Sequence, residues 1–463
     1  MALFTQHHSV RKTVLFLTET ILIFISITLA SYFRLYGIWE RVIRIHHVFL
    51  KIALITGITQ MCLYYSELYD FKVIRNSREL SFRLIQAIGA TSILLGLLYA
   101  FLPQLIISRG IFLISIVIIF ILVVSWRLLY GWVLRRGRFS ERVLIIGTGE
   151  LANKIIQELS ERMYSGFRII GLLVENPKSF DPKSSHIPLL GSYQDSGRII
   201  KEYEIDRIVL ALSERRGKLP ISTLLEYSIK GVQIESGPNF YEQIAGKILI
   251  AGLRPSDLIF ADGFRKSDTA RFIKRMTGIF FSSLYLLLSA PVSLLAMLLI
   301  KLDSPGPIFF KQERVGEGGK VFNLYKFRSM KQNAETGGIP VWAKDVDPRV
   351  TRAGRILRKL RIDETPQMIN VLKGNMSFVG PRPERPYFVE RLKKEIPFYA
   401  LRHSVKPGIT GLAQIKYPYG ATVEDAIEKL QYDLYYVKHM CSALDFAILF
   451  DTVKVVLFGK GAR

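Results

Sequence analysis

Two adjacent carboxylates in a basic field are the feature most able to do chemistry. Arg361-Ile362-Asp363-Glu364-Thr365-Pro366-Gln367 places them at the start of a helix, with Thr365 as the expected cap and Pro366 at the first helical position. Residues 301–420 around them carry 23 Lys+Arg against 11 Asp+Glu. One carboxylate can act as nucleophile or metal ligand while the other holds Mg²⁺, whose charge screens a phosphate that a carboxylate would otherwise repel. A plain helix-dipole role for Asp363 and Glu364 stands against this, since acidic residues are favourable at helix starts. The cations point to polyanionic ligands at a membrane surface. Nucleic acid is the rival reading of a basic patch, but the region holds no recognisable nucleic-acid module and no such partner is expected.

The elements that must position this pair lie in a chain of 463 residues, 49% hydrophobic, with a net charge of +24. A mean hydropathy of +0.25 excludes an ordinary soluble enzyme and a disordered chain. Cys62 and Cys441 fit no metal-ligand spacing, so neither a disulfide framework nor a zinc site is expected. Four apolar stretches, 14–33, 48–68, 84–102 and 111–133, each approach the roughly 20 residues that a spanning helix needs. Arg11, Lys12, Lys72, Arg75, Arg78, Arg83, Arg135, Arg136, Arg138 and Arg142 fall on one side of this bundle and Arg34, Arg41, Arg44 and Arg109 on the other, which sets both of its ends in the cytoplasm. Glu19 and Lys51, within or at the edge of the spans, read as tolerated near helix ends rather than functional.

Residues 141–262 read as a Rossmann-like α/β domain, with strands at 143–146, 169–174, 207–212 and 232–235 and a helix at 150–162. Its first turn, Gly147-Thr148-Gly149-Glu150-Leu151-Ala152, stands where a dinucleotide turn would. The unit is about half a full two-halved domain, and Glu175 lies 26 residues beyond Gly149 rather than about 20, so a structural or regulatory role is favoured and NAD is not expected. A fifth apolar segment, 278–300, holds no charge, yet basic residues flank both ends and Pro291 interrupts it. It reads as a re-entrant helix–break–helix that dips into membrane lipid and returns, keeping the carboxylates on the nucleotide-containing side.

The motifs Lys311-Gln312-Glu313-Arg314-Val315-Gly316, Tyr325-Lys326-Phe327-Arg328-Ser329-Met330, Asp347-Pro348-Arg349-Val350-Thr351, Asp363-Glu364-Thr365-Pro366-Gln367, Val379-Gly380-Pro381-Arg382-Pro383 and Lys406-Pro407-Gly408-Ile409-Thr410-Gly411 occur in that order. This series resembles the large bacterial polyprenyl-phosphate sugar-1-phosphate transferases of exopolysaccharide biosynthesis, densely over about 270–463. One departure is visible: the membrane break of that family usually reads Ser-Pro, whereas Ala290 separates Ser289 from Pro291 here. The resemblance implies a bundle at 1–140, a Rossmann-like domain at 141–262 and a monotopic α/β catalytic domain at 263–463 with its re-entrant helix, in the bacterial inner membrane. It further implies a covalent mechanism in which Asp363 attacks a UDP-sugar, expelling UMP, and undecaprenyl phosphate then accepts the sugar phosphate. Glu364 and Asp363 would hold Mg²⁺, and Lys326, Arg328, Arg358, the Pro381-Arg382-Pro383 turn and Arg402 would bind substrate phosphate and uridine. Glucose and galactose are the family-level sugars. A homodimer is compatible with the sequence and not required by it. An NAD-dependent membrane-bound nucleotide-sugar epimerase or dehydratase is the alternative, opposed by the lack of a Tyr-x-x-x-Lys within 141–262. A non-enzymatic membrane sensor leaves the motif series unexplained.

Overall fold

A computed structural model describes residues 10–34, 48–69, 77–106, 109–135, 140–161, 166–177, 187–212, 220–251, 253, 255, 258, 263–264, 266–331, 349–417, 420 and 422–457. Lys72, Arg75, Arg136, Arg138, Asp347 and Pro348 lie outside them, as do Arg41 and Arg44. The chain divides into two compact units, Met1–Phe240 and Tyr241–Arg463.

The first unit opens with α1 (Val10–Arg34), α2 (Val48–Tyr65), α3 (Ser77–Phe101) and α4 (Arg109–Arg135). Each carries an apolar run long enough to cross a membrane. α1 packs along α2 and α4, and α2 along α3, around Leu15, Ile23, Ile52, Leu63, Leu84 and Val123. Within this apolar core Glu19 is ion-paired. Arg127 Nε lies 2.6 Å from its Oε1, and neither side chain reaches the surface. Tyr69 donates its hydroxyl to Glu19 Oε2 at 2.6 Å and Gln60 Nε2 donates to that hydroxyl at 2.6 Å, while Arg127 also donates to the Leu68 carbonyl. Glu19 is therefore satisfied by a partner deep in α4, not by nearness to a helix end.

The same unit holds a five-stranded parallel sheet in the order β3-β2-β1-β4-β5: β1 (Glu141–Ile146), β2 (Phe167–Val174), β3 (Leu189–Ser192), β4 (Arg207–Leu210) and β5 (Gln233–Ser236). The helices α5 (Glu150–Glu161), α6 (Ser196–Glu202) and α7 (Ile221–Ile229) complete it, and α8 (Gly237–Ala245) carries the chain across the boundary between the two units. Four strands fall where the apolar runs place them, whereas β3, only four residues with a glycine inside, carries too little pattern to be anticipated. The Gly147 turn serves packing: a Cβ there would stand 2.5 Å from the Ala211 carbonyl oxygen, and its φ of 119° suits glycine. Glu150 occupies the first turn of α5, where it opposes an anion rather than inviting one.

The second unit takes in residues 241–251, assigned above to the sheet domain, because Ile248 and Ile250 join its core and Ile248 N donates to Gln431 O at 3.1 Å. Its first long element, α9 (Asp268–Asp303), is a single helix of 36 residues with Pro291 inside it. Pro291 thus does not divide the segment into two helices, since a proline deletes one hydrogen bond of the ladder and can bend the axis while the turns on either side continue. β6 (Phe309–Val315) and β7 (Val321–Phe327) form an antiparallel hairpin. α10 (Arg352–Lys359), α11 (Gln367–Lys373), β8 (Ser377–Val379), α12 (Pro386–Glu395), β9 (Gly408–Thr410), α13 (Leu412–Lys416), α14 (Val423–His439) and α15 (Ser442–Leu457) follow. One side of α9 lies against this unit near both ends: Arg275 donates to the Val371 and Leu372 carbonyls, and Ala296 and Ile300 pack with Phe327 and Leu357. Leu287, Leu288, Leu294 and Leu295 on the same helix are exposed.

Breaking the intramembrane ion pair from one side should be costly. Arg127→Leu leaves Glu19 unpaired in an apolar core and should destabilise the bundle by roughly 3–5 kcal/mol, whereas Glu19→Leu with Arg127→Leu should recover most of the loss. Thermal unfolding in detergent compares them, and equal melting of the single and double variants would count against the pair.

Candidate active site

The carboxylate pair sits in a single 3₁₀ turn, Ile362–Glu364, between α10 and α11. Thr351 caps α10 by accepting from Gly354 N at 3.0 Å, and Asp303 at the end of α9 accepts from Ala353 N at 2.9 Å. After α10 the chain reverses through Arg361, whose φ of 54° is a left-handed conformation that strains any residue with a Cβ. α11 begins one residue later than expected. Pro366 directly precedes it, and Thr365 does not cap it but lies 3.5 Å from the Tyr285 hydroxyl of α9.

The two carboxylates are held differently. Glu364 Oε1 lies 3.1 Å from Lys326 Nζ and 2.9 Å from Arg382 Nη2, and its Oε2 lies 3.8 Å from Arg361 Nη1. Burial alone would raise its pKa, but the charges of Lys326, Arg382 and Arg361 prevail and hold this carboxyl well below the usual range. Asp363, 7% exposed, makes no hydrogen bond to a described residue. Burial pushes its pKa above the ordinary aspartate value, Lys326 pulls it back and the neighbouring Glu364 charge adds to the rise.

Lys326 reaches Glu364 because Asn370 locks β7 to α11: its Oδ1 accepts from Tyr325 N at 3.0 Å and its Nδ2 donates to Asn323 O at 2.7 Å. The expected residues thus separate into two groups. Asp363, Glu364, Lys326 and Arg382 converge, and Arg358 adds its charge near Asp363 while its Nε donates to Ser329 Oγ at 2.8 Å. Arg328 instead turns to the end of α9, donating to Pro305 O at 2.8 Å and Ser304 O at 2.6 Å. Arg402 donates to the Tyr399 hydroxyl at 2.7 Å and to Arg382 O at 3.0 Å, and pairs with Asp433 at 2.8 Å. Pro291 is exposed on α9. Arg361 and Asn370 belong to the site although their residue types alone gave no role; the adjacency of Arg361 to the pair was the available signal.

The loop carrying Arg382 belongs to a two-stranded parallel ladder that joins two sequence motifs, with Gly380 N donating to Thr410 O and Gly408 N to Pro381 O, each at 2.9 Å. A Cβ on Gly408 would stand 2.1 Å from Gly380 N, so both positions need bare backbone.

A paired carboxylate site under a surplus of cations, built against a long apolar helix, defines a membrane-associated protein that handles phosphorylated anions. A bacterial sugar transferase model matches residues 269–459 and a CoA-binding domain model matches residues 65–227. The chain belongs to the bacterial polyprenyl-phosphate sugar-1-phosphate transferases. It is 46% identical over 222 residues to the UDP-N-acetylgalactosamine-undecaprenyl-phosphate N-acetylgalactosaminephosphotransferase of Aeromonas hydrophila, covering 48% of this chain and 52% of that protein. Against the undecaprenyl-phosphate glucose phosphotransferase of Komagataeibacter xylinus it is 32% identical over 332 residues, 70% of this chain and 60% of the other. The UDP-glucose:undecaprenyl-phosphate glucose-1-phosphate transferase of Escherichia coli (strain K12) is 32% identical over 347 residues, 72% of this chain and 71% of that protein. The match therefore spans between half and two thirds of the first two relatives.

Proposed function

We propose that the protein transfers a hexose-1-phosphate from a UDP-sugar to undecaprenyl phosphate through an aspartyl-phosphosugar intermediate, starting a surface glycan on the cytoplasmic face of the bacterial inner membrane. The observation that carries this reading is the asymmetry of the pair: Glu364 is already engaged by cations while Asp363 is buried and makes no hydrogen bond to a described residue. A carboxylate oxygen of Asp363 forms a bond to the β-phosphorus, and the bond from that phosphorus to the bridging oxygen breaks, so UMP leaves with the electron pair. A phosphate oxygen of undecaprenyl phosphate then attacks the same phosphorus and returns Asp363 to its carboxylate form. Splitting the transfer in two lets bulky anions use one site in turn. Lys326, Arg382 and Arg361, gathered around Glu364, would balance the charge of the diphosphate.

Asp363 and Glu364 offer two adjacent hard oxygen ligands, which suits Mg²⁺, an ion that takes one or two carboxylates and completes its shell with substrate phosphate and water. When bound it would supply charge screening for the diphosphate. Asp363→Asn should lose at least about a thousandfold in UMP release while melting like the wild type. Wild-type turnover by Asp363→Asn would sink the covalent scheme. EDTA should suppress activity and Mg²⁺ restore it, whereas Glu364→Gln should not be rescued by added Mg²⁺; indifference to chelation removes the metal. The relatives' names carry N-acetylgalactosamine and glucose, so the assay uses a panel of UDP-sugars.

We further propose that α9 re-enters the membrane rather than spanning it. Support comes from its two ends, both seated on the same unit through Arg275 and Ile300, although 36 helical residues extend about 54 Å. Cysteines at Thr269 and Glu317 should therefore both be labelled only from the cytoplasm, and periplasmic labelling at Glu317 in the otherwise unmodified protein would overturn the placement.

A further inference from the structure

Four consecutive carbonyls of the loop that carries Arg382 accept hydrogen bonds. Pro381 O accepts from Gly408 N at 2.9 Å and Glu384 O from Val315 N at 2.9 Å, so the ends are held by backbone. Between them Arg382 O accepts from Arg402 Nη2 at 3.0 Å and Pro383 O from Arg314 Nη1 at 3.0 Å. Prolines 381 and 383 have no N–H, so carbonyls are what this stretch offers for anchoring. Both clamping arginines are inside the protein, their side chains 7% and 18% exposed for Arg402 and Arg314. Other donors are engaged as well, Arg402 by the Tyr399 hydroxyl and the Asp433 carboxylate and Arg314 by Gln312 Oε1 at 2.6 Å with Glu384 3.7 Å away, while the Nε of each is buried without a hydrogen bond to a described residue.

We propose that Arg314 and Arg402 are positioning residues that clamp the carbonyls of Pro383 and Arg382 and so aim the Arg382 guanidinium at the site, without touching substrate themselves. A guanidinium can hold a carbonyl and a second acceptor in one plane, which an ammonium cannot. The charge of Asp433 balances Arg402, so a lysine there keeps the ion pair and loses the fork.

The inference rests on the proposed reaction only for its kinetic test. With UDP-sugar and undecaprenyl phosphate, Arg314→Lys and Arg402→Lys should each lower kcat about ten- to a hundredfold, the scale of a misplaced reacting group. In an Arg382→Ala background the same changes should cost less than about twofold, since no guanidinium is left to aim; losses that multiply would mean direct substrate contact and overturn the clamp. Hydrogen exchange at the Arg382 and Glu384 amides should quicken in both lysine variants, and unchanged exchange would overturn it independently. If the wild type turns over no UDP-sugar, the proposed reaction falls and exchange alone decides the clamp. Should Arg402→Lys unfold, Arg402→Met with Asp433→Leu removes both buried charges at similar volume and should give the same signature.

Discussion

A buried glutamate cannot stay ionised without cations, and the cations around Glu364 arrive from three separate places in the chain. Lys326 comes from a strand, Arg382 from a proline-flanked loop and Arg361 from the strained turn just before the pair. All three meet the same carboxylate, so strand, loop and turn are bound to a common geometry. The arrangement also separates two chemically similar groups: Glu364 is held ionised by three cations, and Asp363 is buried beside it with no hydrogen bond to a described residue.

The carboxylates, the four spans and most of the parallel sheet were legible because adjacency, length and period are local properties of a sequence. The roles of individual arginines were not. Arg328 and Arg402 share residue type and basic surroundings with Arg382, yet Arg328 faces carbonyl oxygens and Arg402 meets a carbonyl, a tyrosine hydroxyl and Asp433, while Arg382 faces Glu364. An arginine donates equally well to a phosphate, a carboxylate or a helix end, and only the fold decides which acceptor it meets. The partner of Glu19 was hidden for the same reason, since 108 residues separate it from Arg127. Pro291 does not end its helix, because a proline inside a long helix removes one hydrogen bond and the turns on either side continue.

Glycine and proline divide the work around the Arg382 loop. Gly380 and Gly408 allow two backbones to touch, and the prolines beyond limit the loop to conformations whose carbonyls can be gripped. The conformational freedom a phosphate ligand would otherwise have to remove is already gone before any ligand arrives.

The helix α9 also sets where this protein can be cut. Its inner face, including Gly278 against Val371 and Ile300 against Phe327 and Leu357, forms part of the floor under the carboxylates, and the Ser304 and Pro305 carbonyls just past its end are what Arg328 donates to. A fragment beginning at Lys301 would bare that floor and strand a buried guanidinium, so it would not fold as a water-soluble enzyme. An autonomous piece must start at or before Ser267, where the cap of α9 lies, and carries its membrane anchor as an internal structural member.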